Sequence, residues 1–270
     1  MARRLLVPLA TLGLVFGSMM MAASAASAAP AASHPATGSA TVPGFRPGGL
    51  MTRPGGAISA SGVRNAATTS TNWSGYAVTG GNGAFHSVSA SWTQPSVSCS
   101  STRYASFWVG LDGFSSNSVE QTGTDSDCSG SSPRYYGWYE MYPAFPVNFS
   151  NPVSPGDHMS ASVTFSGTTT FTLVLKDTTK GWTQTITKNQ SGLARSSAEV
   201  ITEAPSSSSG VLPLADFHTV TYSSSAANGT SIGSQNPTSI TMVNSSGADK
   251  DTTSAINSSG GFSNTWVRSS

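Results

Sequence analysis

The residues best suited to chemistry lie in one short stretch, FWVGLDG at residues 107–113 followed by SVEQTGTD at residues 118–125. Side chains alternate between the two faces of a β-strand, so Trp108 and Asp112 would share one face, and Gln121 would point away from Glu120. One face of the stretch is then apolar, and the other carries a tryptophan, a carboxylate and an amide. The pattern alone favours two ordinary strands with one solvated face, and a catalytic or binding face is the alternative.

A second candidate segment, AEVITE at residues 198–203, places Glu199 and Glu203 on one face of a strand. Two carboxylates on one face suggest a glycosidase, but four residues of strand separate them by about 13 Å. Retaining glycosidases need about 5–5.5 Å between their carboxyl groups, and inverting ones about 6.5–9.5 Å. The spacing disfavours that chemistry for this pair, although a β-bulge would shorten the gap.

A third segment, WYEMYP at residues 138–143, places Trp138, Glu140 and Tyr142 on one face if it is a strand. Such a face suits an extended peptide, because apolar side chains of the peptide need aromatic platforms and its backbone needs hydrogen-bond partners. For Trp138, packing into a hydrophobic core is an equally good interpretation.

Taken in order, NWSGY, WVGLDG, EQTGTD, WYEMYP and AEVITE resemble the glutamic peptidase (eqolisin) family over about residues 72–217. The resemblance implies that Gln121 and Glu203 are the catalytic pair of an endopeptidase. It also implies a group of residues that bind substrate or support the pair: Trp108, Asp112, Asp125, Glu140, Tyr142 and Glu199.

Two positions depart from the pattern of that family. Met141 stands where the family has a second tryptophan, and Tyr136 or Gly137 replaces an acid found in fungal relatives. We expect these changes to affect which residues the substrate-binding subsites prefer.

The pair that the resemblance implies has a simple chemical logic. A single carboxylate can act as a base towards water and then as an acid towards the leaving nitrogen. A glutamine amide can donate a hydrogen bond to the developing oxyanion without titrating. A free glutamate titrates near about pH 4.3, so we expect activity at acidic pH.

The sequence pattern in the rest of the chain predicts an all-β fold. Short alternating runs such as residues 84–92 and 159–165 are separated by Gly, Pro, Asn and Ser, which is typical of antiparallel sheets. Residues 71–270 are enough for one domain. The resemblance implies an antiparallel β-sandwich of two large sheets, of the concanavalin-like or jelly-roll type, with a concave substrate groove. Apolar Phe262 and Trp266 predict a final strand.

The N-terminal part predicts export. Residues 1–29 have the charged, apolar and small-residue layout of a secretory signal peptide. A membrane anchor is the alternative, but the apolar part is short for a span, so we expect no membrane association of the mature protein. Residues 30–70 are rich in Ala, Pro, Gly and Ser, which predicts a disordered pro-segment or linker.

Charge is unevenly distributed along the chain. Residues 30–70 contain Arg46, Arg53 and Arg64 and no acid, whereas from Thr71 onward twelve acidic residues outnumber eight basic ones. The pro-segment could therefore mask an acidic groove near neutral pH. The chain has no basic patch of the kind that nucleic acids require, so we expect no nucleic-acid partner. The resemblance to the peptidase family implies polypeptide substrates, and we expect a monomer.

The chain has two cysteines, Cys99 and Cys128. In an oxidising compartment such a pair most often forms a disulfide, here around a loop of about 28 residues and worth on the order of 3 kcal/mol. Neither cysteine has another cysteine or a histidine at ligand spacing, so we expect no metal and no cofactor.

Two other classes of function fit the same pattern. A lectin-like carbohydrate-binding module or a glycosidase on the same sandwich would use a similar aromatic and acidic face. A non-catalytic extracellular adhesion domain would leave Gln121 and Glu203 far apart.

Overall fold

The computed structural model describes residues 67–270. The predicted signal peptide and residues 30–66 of the predicted pro-segment lie outside the described residues. The described part forms eighteen β-strands and one 3₁₀ turn at Ile232–Ser234, as expected where β-branched and apolar residues alternate with serine. No helix in the described part is long and apolar enough to span a bilayer.

The first nine strands in chain order are β1 Ala67–Ser70, β2 Trp73–Thr79, β3 Ser87–Thr93, β4 Ser106–Leu111, β5 Val119–Ser129, β6 Ser132–Tyr142, β7 Val147–Asn148, β8 His158–Ser166 and β9 Thr170–Asp177. The other nine are β10 Trp182–Asn189, β11 Ser197–Glu203, β12 Ser206–Ser207, β13 Gly210–Val211, β14 Thr219–Ala227, β15 Thr230–Ser231, β16 Thr238–Val243, β17 Asp249–Thr253 and β18 Phe262–Trp266.

Strand pairing joins sixteen of these strands into one sheet that folds over on itself. Its order is β10-β9-β8-β3-β14-β18-β17-β16-β2-β11-β4-β5-β6-β7, with β15 attached to β14 and β1 to β16. The β1–β16 pairing is parallel, and the other strand pairings of this sheet are antiparallel. Strands β12 and β13 form a small separate sheet. The predicted antiparallel β-sandwich is confirmed, with its two layers continuous rather than separate.

The main core lies between β3, β8 and β9 on one side and β4, β5 and β11 on the other. Phe107, Val109 and Val200 enter it from one layer, and Met159 and Leu173 from the other, all buried. Burying one such side chain contributes about 1.5–3 kcal/mol. This core therefore fixes which side chains of β4 and β11 point inward and which point to the opposite face.

The opposite face of β2, β11, β4, β5 and β6, here called the site face, carries a second apolar cluster. Trp73, Trp108, Trp138 and Ile201 belong to it and are buried. Strands β4, β5 and β11 are covered on both faces, and they therefore have almost no exposed residue. The predicted alternation is therefore confirmed for residues 107–111 and for AEVITE, but neither face is an ordinary solvated one.

Both ends of the domain are built into the sheet. The predicted final strand is confirmed as β18, which pairs with β14 and β17. At the other end β1 lies within the stretch that the sequence assigned to the pro-segment, yet it pairs with β16 and its last residue, Ser70, is buried. The folded domain described here thus begins before residue 71.

Cys99 and Cys128 form the predicted disulfide, with their Cα atoms 5.4 Å apart. It links the segment before β4 to the end of β5. The loop that it closes contains β4 and most of β5, the two strands that carry Trp108 and Gln121.

Replacing both cysteines by alanine should lower the free energy of unfolding by about 3–4 kcal/mol, because the 29-residue separation no longer restricts the unfolded chain. Chemical denaturation at acidic pH measures the change. The wild-type protein after reduction should match the double variant. Equal stability of the variant and the oxidised protein would contradict the prediction.

Candidate active site

One row of side chains on the site face contains the predicted glutamine. In the strand register Glu199 lies opposite Gly110, Gly110 opposite Gln121, and Gln121 opposite Glu140. The Gln121 Nε2 donates a hydrogen bond of 2.8 Å to the Glu140 Oε2. This bond fixes the orientation of the amide, because only its nitrogen can donate to a carboxylate.

A second row, four residues further along the strands, contains the predicted glutamate. Glu203 lies opposite Ser106, Ser106 opposite Asp125, and Asp125 opposite Tyr136. Glu203 is buried, and its two oxygens accept from different donors. The Trp108 Nε1 donates to its Oε2 at 2.9 Å, and the Asn72 Nδ2 donates to its Oε1 at 3.4 Å.

Tryptophans occupy the space between the two rows. Trp108 and Trp138 lie on either side of Gly123 in the register. A Cβ atom at Gly123 would lie 2.1 Å from the Phe107 carbonyl oxygen and 2.5 Å from the Trp108 Cβ. Only glycine therefore allows β4 to approach β5 closely at this point. Trp73 packs edge-on against Trp108, with ring centroids 4.9 Å apart.

Gln121 and Glu203 both lie on the site face, in different rows of the strand register. The register separates them by two strand spacings and four residues, or about 10 Å across and 13 Å along a flat sheet. The Trp108 indole lies between them. Its N–H points to Glu203, and its opposite edge lies beside Gly110, where a Cβ atom would be 2.9 Å from the Trp108 Cζ3 and 3.2 Å from the Gln121 Cβ.

Asp112 has a different position from the one that simple alternation predicts. Strand β4 ends at Leu111, and Asp112 has a φ of 71°. Its carboxylate accepts hydrogen bonds from the backbone N–H groups of Arg195 and Ser196 at 2.6 and 2.8 Å. Asp112 therefore anchors the loop that leads into β11, and it acts on the site through the position of that strand.

The WYEMYP segment is the end of β6, and its alternation is confirmed. Trp138 belongs to the apolar cluster of the site face, and Tyr142 packs against that cluster. Met141 points the other way, into the main core. The departure from the family's tryptophan at Met141 therefore alters core packing rather than the site face.

This chain is similar to known peptidases in both sequence and fold. The Peptidase A4 family matches residues 71–266. The chain belongs to this family, the glutamic peptidases or eqolisins. The family and the enzyme class expected from the sequence are confirmed.

Two curated relatives are fungal enzymes. Scytalidopepsin B of Scytalidium lignicola is 35% identical over 142 residues, which is 51% of this chain and 53% of the relative. Aspergillopepsin-2 of Aspergillus niger is 31% identical over 196 residues, 63% of this chain and 69% of the relative. The matched segment thus spans about half the length of the first relative.

Two solved structures of glutamic peptidases are similar to this chain in fold. Scytalido-glutamic peptidase with a transition state analog inhibitor aligns with a TM-score of 0.60 at 29% identity, over 73% of this chain and 98% of that chain. Aspergilloglutamic peptidase from Aspergillus niger aligns with a TM-score of 0.55 at 27% identity, over 61% of this chain and 99% of that chain.

In this glutamic peptidase, Tyr136 joins two buried acids. Its hydroxyl oxygen lies 2.8 Å from the Asp125 Oδ2 and 2.7 Å from the Asp127 Oδ2, while the Trp138 Nε1 donates to the Asp125 Oδ1 at 2.6 Å. A hydroxyl has one proton and cannot donate to both carboxylates. One of the two acids must therefore keep its own proton and donate it to the tyrosine oxygen.

Burial holds several acids of this domain in their neutral form. It raises the pKa of Asp125 to about 7 and that of Asp127 well above its usual range, with the Asp125 charge adding to the latter. It raises the pKa of Glu120 to about 8, with the Asp112 charge adding, and the pKa of Glu199 well above its usual range.

Reasoning from the sequence missed several residues of this site. Asn72 belongs to the NWSGY motif, but nothing in the local sequence indicates that its amide reaches Glu203. Asp127 could have been found, because it follows Asp125 by two residues and so shares its face. Tyr136 departs from the family pattern, and the sequence does not show that it replaces an acid with a group that binds two acids.

The raised pKa values predict a domain that is most stable in acid. Asp125 and Glu120 bind protons more tightly when folded, so their contribution is complete below about pH 4 and is lost as pH rises towards about 7–8. Each such group should lower the free energy of unfolding by about 1.4 kcal/mol per pH unit in that window. Denaturation at a series of pH values measures this slope.

Asp125→Asn should reduce the slope, because an amide keeps the size of the acid and does not titrate. Asp249→Asn is the matched control, since the Asp249 side chain is exposed on β17. A wild-type protein whose stability rises from pH 4 to pH 7 would contradict the assignment of these acids as neutral.

Proposed function

We propose that this chain is a secreted, acid-acting endopeptidase in which Glu203 and Gln121 perform the chemistry. The observation that carries the proposal is the placing of one carboxylate and one neutral amide on the same face, on opposite sides of Trp108. A water and a scissile peptide bond over the indole would contact both groups.

Glu203 is the group best suited to act as the base. Its two oxygens accept from the indole of Trp108 and the amide of Asn72, and neither donor can give up its proton. These hydrogen bonds suit a carboxylate that takes a proton from water and later passes it to the leaving nitrogen.

Glu199 shares the face and the strand of Glu203 but is a poor candidate for the base. It is buried, and burial raises its pKa well above the usual range, so that it stays protonated in acid. Strand β11 pairs with β2 and β4 without a shift in register. The spacing of about 13 Å between Glu199 and Glu203 is therefore kept, which also disfavours a glycosidase mechanism for this pair.

Gln121 is the proposed donor to the oxyanion. The bond to Glu140 uses one N–H of the amide and holds the amide plane in place. The same nitrogen would donate to the oxygen of the tetrahedral intermediate. Preorganisation of this kind matters because a fixed donor does not need to reorient when charge develops.

A polypeptide is the proposed substrate. The tryptophans and Tyr142 provide apolar surface on the site face, and a groove over them is part of the proposal. Relatives of this chain have been solved with a transition state analog inhibitor and with the tripeptide Ala-Ile-His. Secretion rests on the predicted signal peptide and suits a domain with a disulfide.

Glu203→Gln should lower kcat by about 10²–10⁴-fold, because the amide cannot take a proton from water. Gln121→Ala should lower kcat by about 10²–10³-fold with a smaller effect on KM, because the lost donor acts mainly in the transition state. Digestion of an unfolded protein at acidic pH measures both.

The matched control is Glu120→Gln, the same change on β5 at a buried glutamate that points away from the site face. It should retain activity. Circular dichroism should confirm that all three variants fold. A folded Glu203→Gln variant with wild-type activity would refute the proposed mechanism.

The proposed precursor makes a further prediction. A peptide of residues 30–66, the part of the predicted pro-segment that precedes β1, should inhibit the processed domain at about pH 6 and lose potency at about pH 3, where carboxylates are protonated. Added salt should weaken the inhibition. A peptide with Arg46, Arg53 and Arg64 replaced by alanine is the control, and inhibition by it as strong as by the parent peptide would contradict the electrostatic explanation.

A further inference from the structure

We propose that Asn72 is a positioning residue for Glu203, held in place by the hydroxyl of Ser70. The inference rests on the proposed function of Glu203 and extends it to the segment at the start of the family match. Ser70, Thr71 and Asn72, here called the N-terminal clip, connect β1 to β2 and run beside the end of β11.

The backbone fixes the clip next to Glu203. The Ala204 N–H, directly after Glu203, donates to the Asn72 carbonyl oxygen at 2.8 Å, and Trp73 lies opposite Glu203 in the register. On the other side of the clip, the buried Lys250 Nζ donates to the Thr71 carbonyl oxygen at 3.2 Å. The clip therefore cannot shift without disturbing β11 or β17.

Counting protons determines which way the Asn72 amide points. The Ser70 Oγ accepts from the backbone N–H groups of Asn72 at 3.3 Å and Trp73 at 3.1 Å, which occupies both of its lone pairs. Its single proton is then donated to the Asn72 Oδ1 at 2.9 Å. With the oxygen of the amide bound to Ser70, the Asn72 nitrogen must be the atom that faces Glu203.

The clip completes the support of Glu203. Trp108 holds one carboxylate oxygen, and Asn72 the other, so the plane of the carboxylate is set by two neutral donors, one on β4 and one in the clip. Ser70, Asn72 and Glu203 are all fully buried. A base that is fixed at both oxygens can accept the proton of a bound water in one geometry only, which favours its reaction.

The clip also limits where the precursor can be processed. Cleavage after Ser70 would remove the hydroxyl that orients Asn72, so the active chain must begin at Ser70 or earlier. N-terminal sequencing of the protein processed at acidic pH should find such an end. An active form that begins at Thr71 or later would overturn this part of the inference.

The main test compares Asn72→Ala and Ser70→Ala in the full-length chain with the wild type. Loss of a donor to the carboxylate disfavours its ionised form, so the acid limb of the pH profile of kcat/KM should move upward by about 0.5–1 pH unit in Asn72→Ala. Ser70→Ala should give a smaller shift in the same direction. Asn264→Ala is the matched control, because this buried amide donates to the Ser74 Oγ on a different network. It should lower the melting temperature and leave the acid limb unchanged.

A second readout does not depend on catalysis. The indole N–H of Trp108 donates to Glu203, so its NMR signal should titrate with that carboxylate, and the titration should vanish in Glu203→Gln. In Asn72→Ala the midpoint should move upward together with the acid limb. If neither the midpoint nor the acid limb moves in Asn72→Ala while Glu203→Gln is inactive, the positioning role of Asn72 is refuted and the catalytic role of Glu203 is kept. A moved midpoint with Glu203→Gln fully active would keep the positioning role and refute the catalytic role of Glu203.

Discussion

The unbroken register from β11 through β4 and β5 to β6 is the constraint on which the site depends. Because these four strands pair without a shift, the side chains of the site face fall into rows, with Trp108 between the row of Gln121 and the row of Glu203. A slip of one residue in any pair would send these side chains into the main core. This register requires glycine at position 123, because a side chain there would push β4 away from β5.

The same arrangement sets the conditions under which the fold is stable. A site face that holds acids beside three tryptophans must bury carboxyl groups, and a buried acid favours its protonated form unless hydrogen-bond donors stabilise the charge. Asp125 and Asp127 are stable beside Tyr136 because two hydrogen bonds link the three groups, one with the tyrosine proton and one with the proton of an acid. Acidic conditions thus favour the fold for a reason separate from the chemistry of Glu203.

Much of this could be predicted from the sequence, because strand alternation is a local property. The faces of Trp108, Gln121 and Glu203 follow from a period of two, and the disulfide follows from an isolated pair of cysteines. Alternation cannot say which strands are neighbours, so the contact of Asn72 with Glu203, 131 positions away, was out of reach. Asp112 was misplaced because a positive φ ends the alternation. The resemblance to glutamic peptidases supplied the pairing of Gln121 with Glu203, which no local pattern contains.

The choice of donors around Glu203 fits the two tasks proposed for it. A base that must return its proton within one catalytic cycle cannot be held too firmly in either form. An arginine or lysine beside the carboxylate would stabilise the charge strongly and oppose protonation during release of the leaving group. An apolar environment would have the opposite effect, because it would raise the pKa of the carboxyl group and keep it neutral, as burial does for Glu199. Hydrogen bonds from an indole and an amide lie between these extremes, since they orient the carboxylate and leave its proton exchange to the water and the substrate.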